Sequence, residues 1–411
     1  MKSKCSLALL LLVLALSNNE ALAQIYSWTQ TSAPSNNWQY VASTSDASKL
    51  VAEQNNGYIY ISTNYGATWT QTGAPSNNWS SVTSSSDGNN LVAANGAYNQ
   101  ASSIFTSTNY GATWTRQTNL PSINNFGVWV ASSSAGSNLV AVQNYIYTSA
   151  DYGRTWIQHT NPSSSAINWF GVASSSDGSK LLAADHLAGY NFGYIYTSAD
   201  FGVTWTLRSN YVGGSPEGWQ SVASSSDGST LVAVANSSYG GFMIISTNYG
   251  ASWEQRAFGL PKLPDNWMSV ASSSDGSKLV AASFHSIYTS RDYGVTWIQQ
   301  TNAPQAIWNS VTISSDGNRL VGVQTGGYIY TAFYVGQFSC SGGMTNGNYG
   351  FNLQFNGTPD VPYVLESATS LNAPINWRPV ATNFADINGN WTFTETNVAA
   401  ILARFFRATV Q

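Results

Sequence analysis

The chain has 411 residues, 43% hydrophobic and 13% aromatic but only 8% charged, with a net charge of −4. Soluble domains average about 25% charged residues, and chains that stay disordered lack aromatics, whereas this one carries 16 Trp, 23 Tyr and 16 Phe. So few basic residues provide no counterion-release term for phosphate backbones or anionic bilayers, so nucleic acid is excluded as an expected partner.

Lys2 and Lys4 precede an apolar run from Leu7 to Leu16, then Ser17-Asn18-Asn19-Glu20 and Ala21-Leu22-Ala23 ahead of Gln24. This is the pattern of a signal peptide over residues 1–23. Its apolar core is well short of the roughly 20 residues that span a bilayer, and no later segment reaches that length, so no transmembrane segment is expected after cleavage. The leader removes two lysines and one glutamate, leaving a net charge of −5. It also removes Cys5, so Cys340 has no intramolecular partner and no disulfide is expected. The predicted product is secreted or held in the cell envelope, in the periplasm or at the cell surface, and monomeric.

From residue 24 to 335 the sequence repeats. Ser-Ser-Asp-Gly or a close variant occurs at Asp46, Asp87, Asp177, Asp227, Asp275 and Asp316, with a degenerate seventh copy at Ala135-Gly136. A second element, Ser/Thr-x-Asp/Asn-x-Gly-x-Thr/Ser-Trp, here termed the box, is complete six times. Asn64, Asn109, Asp151, Asp200, Asn248 and Asp292 hold its acidic or amide position. The last repeat reaches Tyr328-Ile329-Tyr330-Thr331 without a box, whereas Ile25-Tyr26-Ser27-Trp28-Thr29-Gln30-Thr31 copies the strand that follows one. The N-terminal strand is therefore predicted beside Tyr328–Thr331, completing the last blade and closing the ring. Seven repeats of about 45 residues match the length of a four-stranded propeller blade. Alternation in Tyr-Ile-Tyr and Leu-Val-Ala, with Asp-Gly turns between, predicts four short strands per repeat.

The box resembles the Asp-box, or BNR repeat, found in sialidases, sortilin-type receptors, xyloglucan-cleaving glycosidases and photosystem II assembly-factor propellers. That resemblance covers about three-quarters of the chain and implies an all-β, seven-bladed β-propeller. It does not fix a function, because enzymes and non-enzymes share the device. In the box itself, an Asp or Asn side-chain oxygen accepting backbone N–H groups suffices as a role, and three Asn among the six positions argue against a catalytic acid. Fourteen tryptophans repeat with the blades. Seven close the boxes or the N-terminal copy, and seven open the first strands: Trp38, Trp79, Trp129, Trp169, Trp219, Trp267 and Trp308. Packing between blades is their expected role, with a ring of sugar-stacking platforms at the channel mouth as the alternative for the second set.

Strand order puts the Asp-Gly turns and boxes on one rim and the loops after the second and fourth strands on the other face. Those loops vary in length, which is where recognition is expected. Candidate ligand-binding residues there are Glu53, Tyr98, Asp185, His186, Tyr190, Phe192, Glu217, Tyr239, Asp265 and His285, with Tyr211 beside them. A glycosidase needs two carboxyl groups about 5–10 Å apart, and Asp185 with Glu217 is the pair on which that alternative rests. No arginine triad of the sialidase kind, no metal-ligand spacing and no cofactor fingerprint is visible, so neither metal nor cofactor is expected. The expectation is an exported, non-enzymatic binding or scaffold propeller that recognises a glycan or an extracellular or envelope protein. The alternative is a glycoside hydrolase or polysaccharide lyase. An assembly factor for a membrane complex is disfavoured by the sparse basic residues.

Residues 336–349, rich in Gly, Ser and Asn, read as a linker. Residues 350–411 carry strand-like runs and read as a small β-sandwich-like module, with Asp386–Asn390 as a hairpin turn. The phrases Tyr363–Leu371, Asn376-Trp377 and Arg404–Ala408 resemble C-terminal β-modules of large secreted proteins from environmental bacteria, which implies an accessory or attachment role.

Overall fold

The second strand of every repeat is buried along its length, apart from Arg319 at the start of the last, as in Leu50–Gln54, Leu91–Asn95 and Leu231–Ala235. A strand covered on both faces needs such a continuous apolar run, and only neighbouring sheets on either side provide that cover. In the computed structural model of the chain, the described residues are 23–96, 102–118, 127–162, 168–185, 193–208, 218–236, 241–256, 266–345, 348–356, 362–368, 376, 378–384, 390–395 and 405–410. No helix occurs among them. They form two compact units, one of residues 28–332 and one that joins the N-terminal residues before Trp28 to those from Phe333 onward. The predicted leader lies outside the described residues except for Ala23.

The larger unit is a seven-bladed propeller of antiparallel sheets. Blade 1 runs through Trp38–Ser43, Leu50–Gln54, Ile59–Ser62 and Thr70–Gln71, and blades 2 to 6 repeat that order beginning at Trp79, Trp129, Trp169, Trp219 and Trp267. Blade 7 opens with Trp308–Ile313 and Arg319–Gln324, and its third strand, beginning at Ile329, takes the N-terminal strand as its fourth partner. The Thr31 N–H donates to the Ile329 carbonyl at 3.0 Å, and the Tyr330 hydroxyl donates to Gln30 Oε1 at 3.2 Å. The Trp28 and Trp308 rings lie 5.7 Å apart.

A second closure runs round the rim. The residue before each Asp-Gly turn donates its N–H to the same residue of the next blade: Ser45 to Ser86, then Ser134, Ser176, Ser226, Ser274, Ser315 and back to Ser45, at 2.7–3.0 Å. Seven backbone hydrogen bonds thus form a closed circle. The turns are rigid because the preceding serine or threonine is hydrogen-bonded within them. Ser85 donates to Asp87 Oδ1 at 2.6 Å and accepts the Asn90 N–H at 3.0 Å, while Gly88 takes φ +79°. These bonds favour the charged form: the Ser175 hydroxyl first, then Ser179, hold Asp177 down to about 2.

The boxes use the same chemistry. Asp151 Oδ1 accepts the Thr155 N–H at 2.8 Å, and its Oδ2 accepts the Thr155 hydroxyl at 2.7 Å. Asn64 Oδ1 accepts the Thr68 N–H at 2.9 Å, and here the amide reverses the second bond, Nδ2 donating to Thr68 Oγ1 at 2.9 Å. A hydroxyl adapts to either partner, which is why Asn and Asp interchange.

Between blades, six of the seven strand-opening tryptophans are 0–3% exposed. Five of the six meet a third-strand aromatic edge-on, as in Trp38 with Tyr60 at 5.2 Å and Trp169 with Tyr196 at 5.3 Å. Rings buried this completely cannot stack on a ligand, so the alternative of a platform ring built from this set is wrong for these six.

In the smaller unit, the segment read as a linker is strand for most of its length. Gln337–Thr345 pairs with Asn348–Asn356, which pairs with Asn390–Glu395. A separate sheet orders Arg378–Phe384, Pro362–Ala368 and Phe405–Val410, with Leu365 fully buried. Gly342 and Gly343 stand opposite Phe351 and Gly350, so the glycines that suggested a linker are accommodated within a ladder. The expected turn at Asp386–Asn390 lies outside the described residues apart from Asn390.

Candidate functional site

The antiparallel order places the start of each first strand and the end of each second strand at the face opposite the boxes. Of the ten candidate ligand residues, Glu53, Asp185 and His285 are described. Tyr98, His186, Tyr190, Phe192, Glu217, Tyr239 and Asp265 lie outside the described residues, as does Tyr211.

Asp185 is the last residue of its second strand, a position held in the other blades by Gln54, Asn95, Gln143, Ala235, Ser283 and Gln324. The role common to most of them is a cap on the following hairpin. Asn95 Oδ1 accepts the Ser103 N–H at 2.7 Å, Gln54 Oε1 the Tyr58 N–H at 3.3 Å, and Ser283 Oγ the Ser286 N–H at 3.2 Å. Asp185 Oδ1 likewise accepts the Tyr194 N–H. The carboxyl is 1% exposed, and burial, partly offset by that hydrogen bond, pushes it up to about 6. This is the local geometry of a cap, not of a surface carboxylate. His285 is exposed and meets the Phe284 ring edge-on at 5.3 Å.

Glu53 differs from the surface group predicted. It lies within the second strand one residue before the cap, where the other blades have Ala94, Val142, Ala184, Val234, Ala282 and Val323. It is fully buried, and neither carboxyl oxygen has a hydrogen-bond partner among the described residues. Burial pushes the carboxyl well above the usual carboxylate range, because the charged form would be held away from solvent.

Directly across the ladder from Glu53 is Tyr40. Its counterparts are Ser81, Trp129, Gly171, Ser221, Ser269 and Ser310, paired with Ala94, Val142, Ala184, Val234, Ala282 and Val323. Trp129 opens its strand but is therefore not equivalent in register to the other six tryptophans. The other six blades have a register shift just after their tryptophan, and blade 3 pairs Trp129 with Val142 one rung further in, at the serine position. The four serines link neighbouring first strands, accepting the N–H of Val130, Val270, Val311 and Val41 at 3.1–3.4 Å. Tyr40 and Trp129 replace that small hydroxyl with large rings that are only half-buried and lie close to each other. Phe170 of blade 4, also half-buried, lies 4.9 Å from the Trp129 ring at 30°.

No family model and no curated protein matches the sequence. Solved structures share its fold. One described as YCF48 bound to D1 peptide is 15% identical, with a TM-score of 0.54 over 78% of this chain and 98% of its own. The hydrazine synthase of Kuenenia stuttgartiensis is 14% identical, with a TM-score of 0.58 over 75% and 97%. The GH74 xyloglucanase of Xanthomonas campestris is 16% identical, with a TM-score of 0.55 over 86% of this chain and 59% of its own. At these identities the likeness shows the fold, a seven-bladed propeller, and no activity.

Proposed function

We propose that this chain is an exported, non-enzymatic binding propeller that takes a glycan or a protein segment on its variable-loop face. The observation that carries the proposal is the state of the two described carboxyls near that face. Asp185 caps a hairpin and Glu53 is sealed between blades, so neither is presented as a surface acid or base. The aromatic departure from the repeat at Tyr40 and Trp129 supports recognition. That a propeller of this fold is solved with a bound peptide supports a protein partner as one of the two classes.

A polysaccharide array and a pull-down from envelope extracts test the proposal, with binding in either as the expected result. The rival hydrolase or lyase predicts release of reducing sugar that is abolished by Asp185→Asn or Glu217→Gln. Asp185→Asn is a fair test because an amide keeps the oxygen that caps the hairpin, as Asn95 does. Activity lost in that variant with unchanged folding would overturn the proposal.

A further inference from the structure

We infer that the Tyr40, Trp129 and Phe170 cluster at the channel end of the variable-loop face is a binding subsite for a neutral saccharide. The inference rests on reading that face as the binding face and names where on it, and for what chemistry, recognition occurs.

The first support is a comparison internal to the molecule. The fold is satisfied by serine or glycine at the Tyr40 and Trp129 positions, since five of the seven blades have one. At four of them the serine makes a hydrogen bond to the next blade. Two large rings in place of that residue serve no repeat-wide purpose, and they converge on one another although they come from blades 1 and 3.

The second support is separate. A fully buried carboxyl without a partner is a cost that a valine would remove, and it stands on the rung opposite Tyr40 and in no other blade. Departures from local rules without a structural gain mark functional positions.

The chemistry selects the ligand. Trp129 and Phe170 give aromatic surface that is half-buried and so still partly open. Tyr40 beside them brings a phenol hydroxyl, which can donate to or accept from a ligand. Gln39, half-buried on the adjacent residue of blade 1, adds an amide. None of these residues carries a charge near pH 7, and a charged ligand would be desolvated there without a counter-ion. An apolar face beside uncharged donors and acceptors is the complement of a sugar ring, which has a C–H face and hydroxyls at its edge.

The test uses variants that restore the repeat's own residues: Tyr40→Ser, Trp129→Ser and Phe170→Gln, the last found in blades 1 and 5 at that place. Binding of neutral oligosaccharides derived from xyloglucan, cellulose, xylan and mannan to the full chain is measured by calorimetry, with thermal midpoints alongside. At least one oligosaccharide is expected to bind, at least tenfold more weakly to Tyr40→Ser and Trp129→Ser, with cooperative melting retained. Tyr40→Phe, which keeps the ring, should weaken binding severalfold, and Ser221→Ala at the same position of blade 5 should not. Equal binding by wild type and all cluster variants would overturn the subsite and leave the binding-face reading standing. Binding only to anionic glycans or to peptide would overturn the ligand class. No binding in these titrations, on the array or in the pull-down would remove both.

Discussion

Replacing Glu53 by valine is expected to stabilise the propeller. The wild-type side chain buries a carboxyl with both oxygens unpartnered among the described residues, and leaving a polar group buried and unsatisfied costs about 1–3 kcal/mol. Valine is the residue that blades 3, 5 and 7 hold at this place, as Val142, Val234 and Val323, each 0% exposed. Its methyl groups replace the glutamate methylenes. The shorter side chain leaves a small void worth roughly 1 kcal/mol, so a relief near the top of that range nets a gain of about 2 kcal/mol. At roughly 2 °C per kcal/mol for a unit this large, the thermal midpoint should rise about 4 °C.

The pH dependence is a stricter check. A carboxyl that binds its proton more tightly when folded leaves stability intact below its unfolded value of about 4.3. That stability is then lost progressively as pH rises towards the folded value. The advantage of Glu53→Val over wild type should therefore grow between pH 4 and pH 7, as followed by scanning calorimetry. An advantage that does not change with pH, or a valine variant that melts below wild type, would show that the carboxyl is paired and ionised, and the reasoning would fail.

The remaining predictions concern the frame. Asp185 acts in the same direction as Glu53, with a window from about pH 3.9 to about 6. Asp87, Asp177 and Asp227, lowered chiefly by the hydroxyls of Ser85, Ser175 and Ser225, act oppositely and lose their contribution as pH falls below about 4. The melting temperature should accordingly peak near pH 4–5, and a peak above pH 7 would contradict these assignments. In the box of blade 3, Asp151→Asn should be nearly neutral because Asn64 already makes the equivalent bonds, whereas Asp151→Ala should cost about 1–2 kcal/mol in urea unfolding. Gly294→Ala should cost more, about 2–4 kcal/mol, because it combines φ +76° with a Cβ that would meet the buried Ile245 side chain. Deleting residues 24–31 removes the fourth strand of blade 7 and exposes a sheet edge, so the truncated chain should melt lower than the full chain and self-associate in light scattering.

The ring was legible in the sequence because it is written seven times. Asp-Gly and the box fix two turns per blade, and the misplaced Ile25–Thr31 strand could be assigned only because the seventh blade lacked its own. The hydrogen-bonded circle from Ser45 through Ser315 was not legible, since serine before Asp in a turn looks like ordinary turn chemistry until the blades are arranged around an axis. The linker reading failed because composition was used where pairing decided the outcome. Gly342 and Gly343 are poor strand formers in isolation, yet both lie in register with Asn348–Asn356. In the sequence Asp185 and Glu53 both read as loop-face groups, because distance from the last apolar residue does not show that one caps a hairpin and the other sits between sheets.

Trp129 shows most clearly why departures from the repeat carry information that the repeat cannot. Spacing alone left it two residues adrift of its fellows, and alternation kept it on the same side of the strand, so grouping it with the packing tryptophans was natural. What separates it is the register shift that follows the tryptophan in the other blades. Without that shift, blade 3 brings an indole to the rung where its neighbours have a hydroxyl. In a structure of near-identical blades, each position has six controls that report what packing requires. Measured against them, Asp185 differs from the capping amides by little more than its titration. Tyr40 and Trp129 differ from their controls in size and Glu53 in polarity, and two of the three lie on a single rung. Capping explains Asp185, and the repeat itself does not explain the others, which is why binding experiments belong at that rung before the loops.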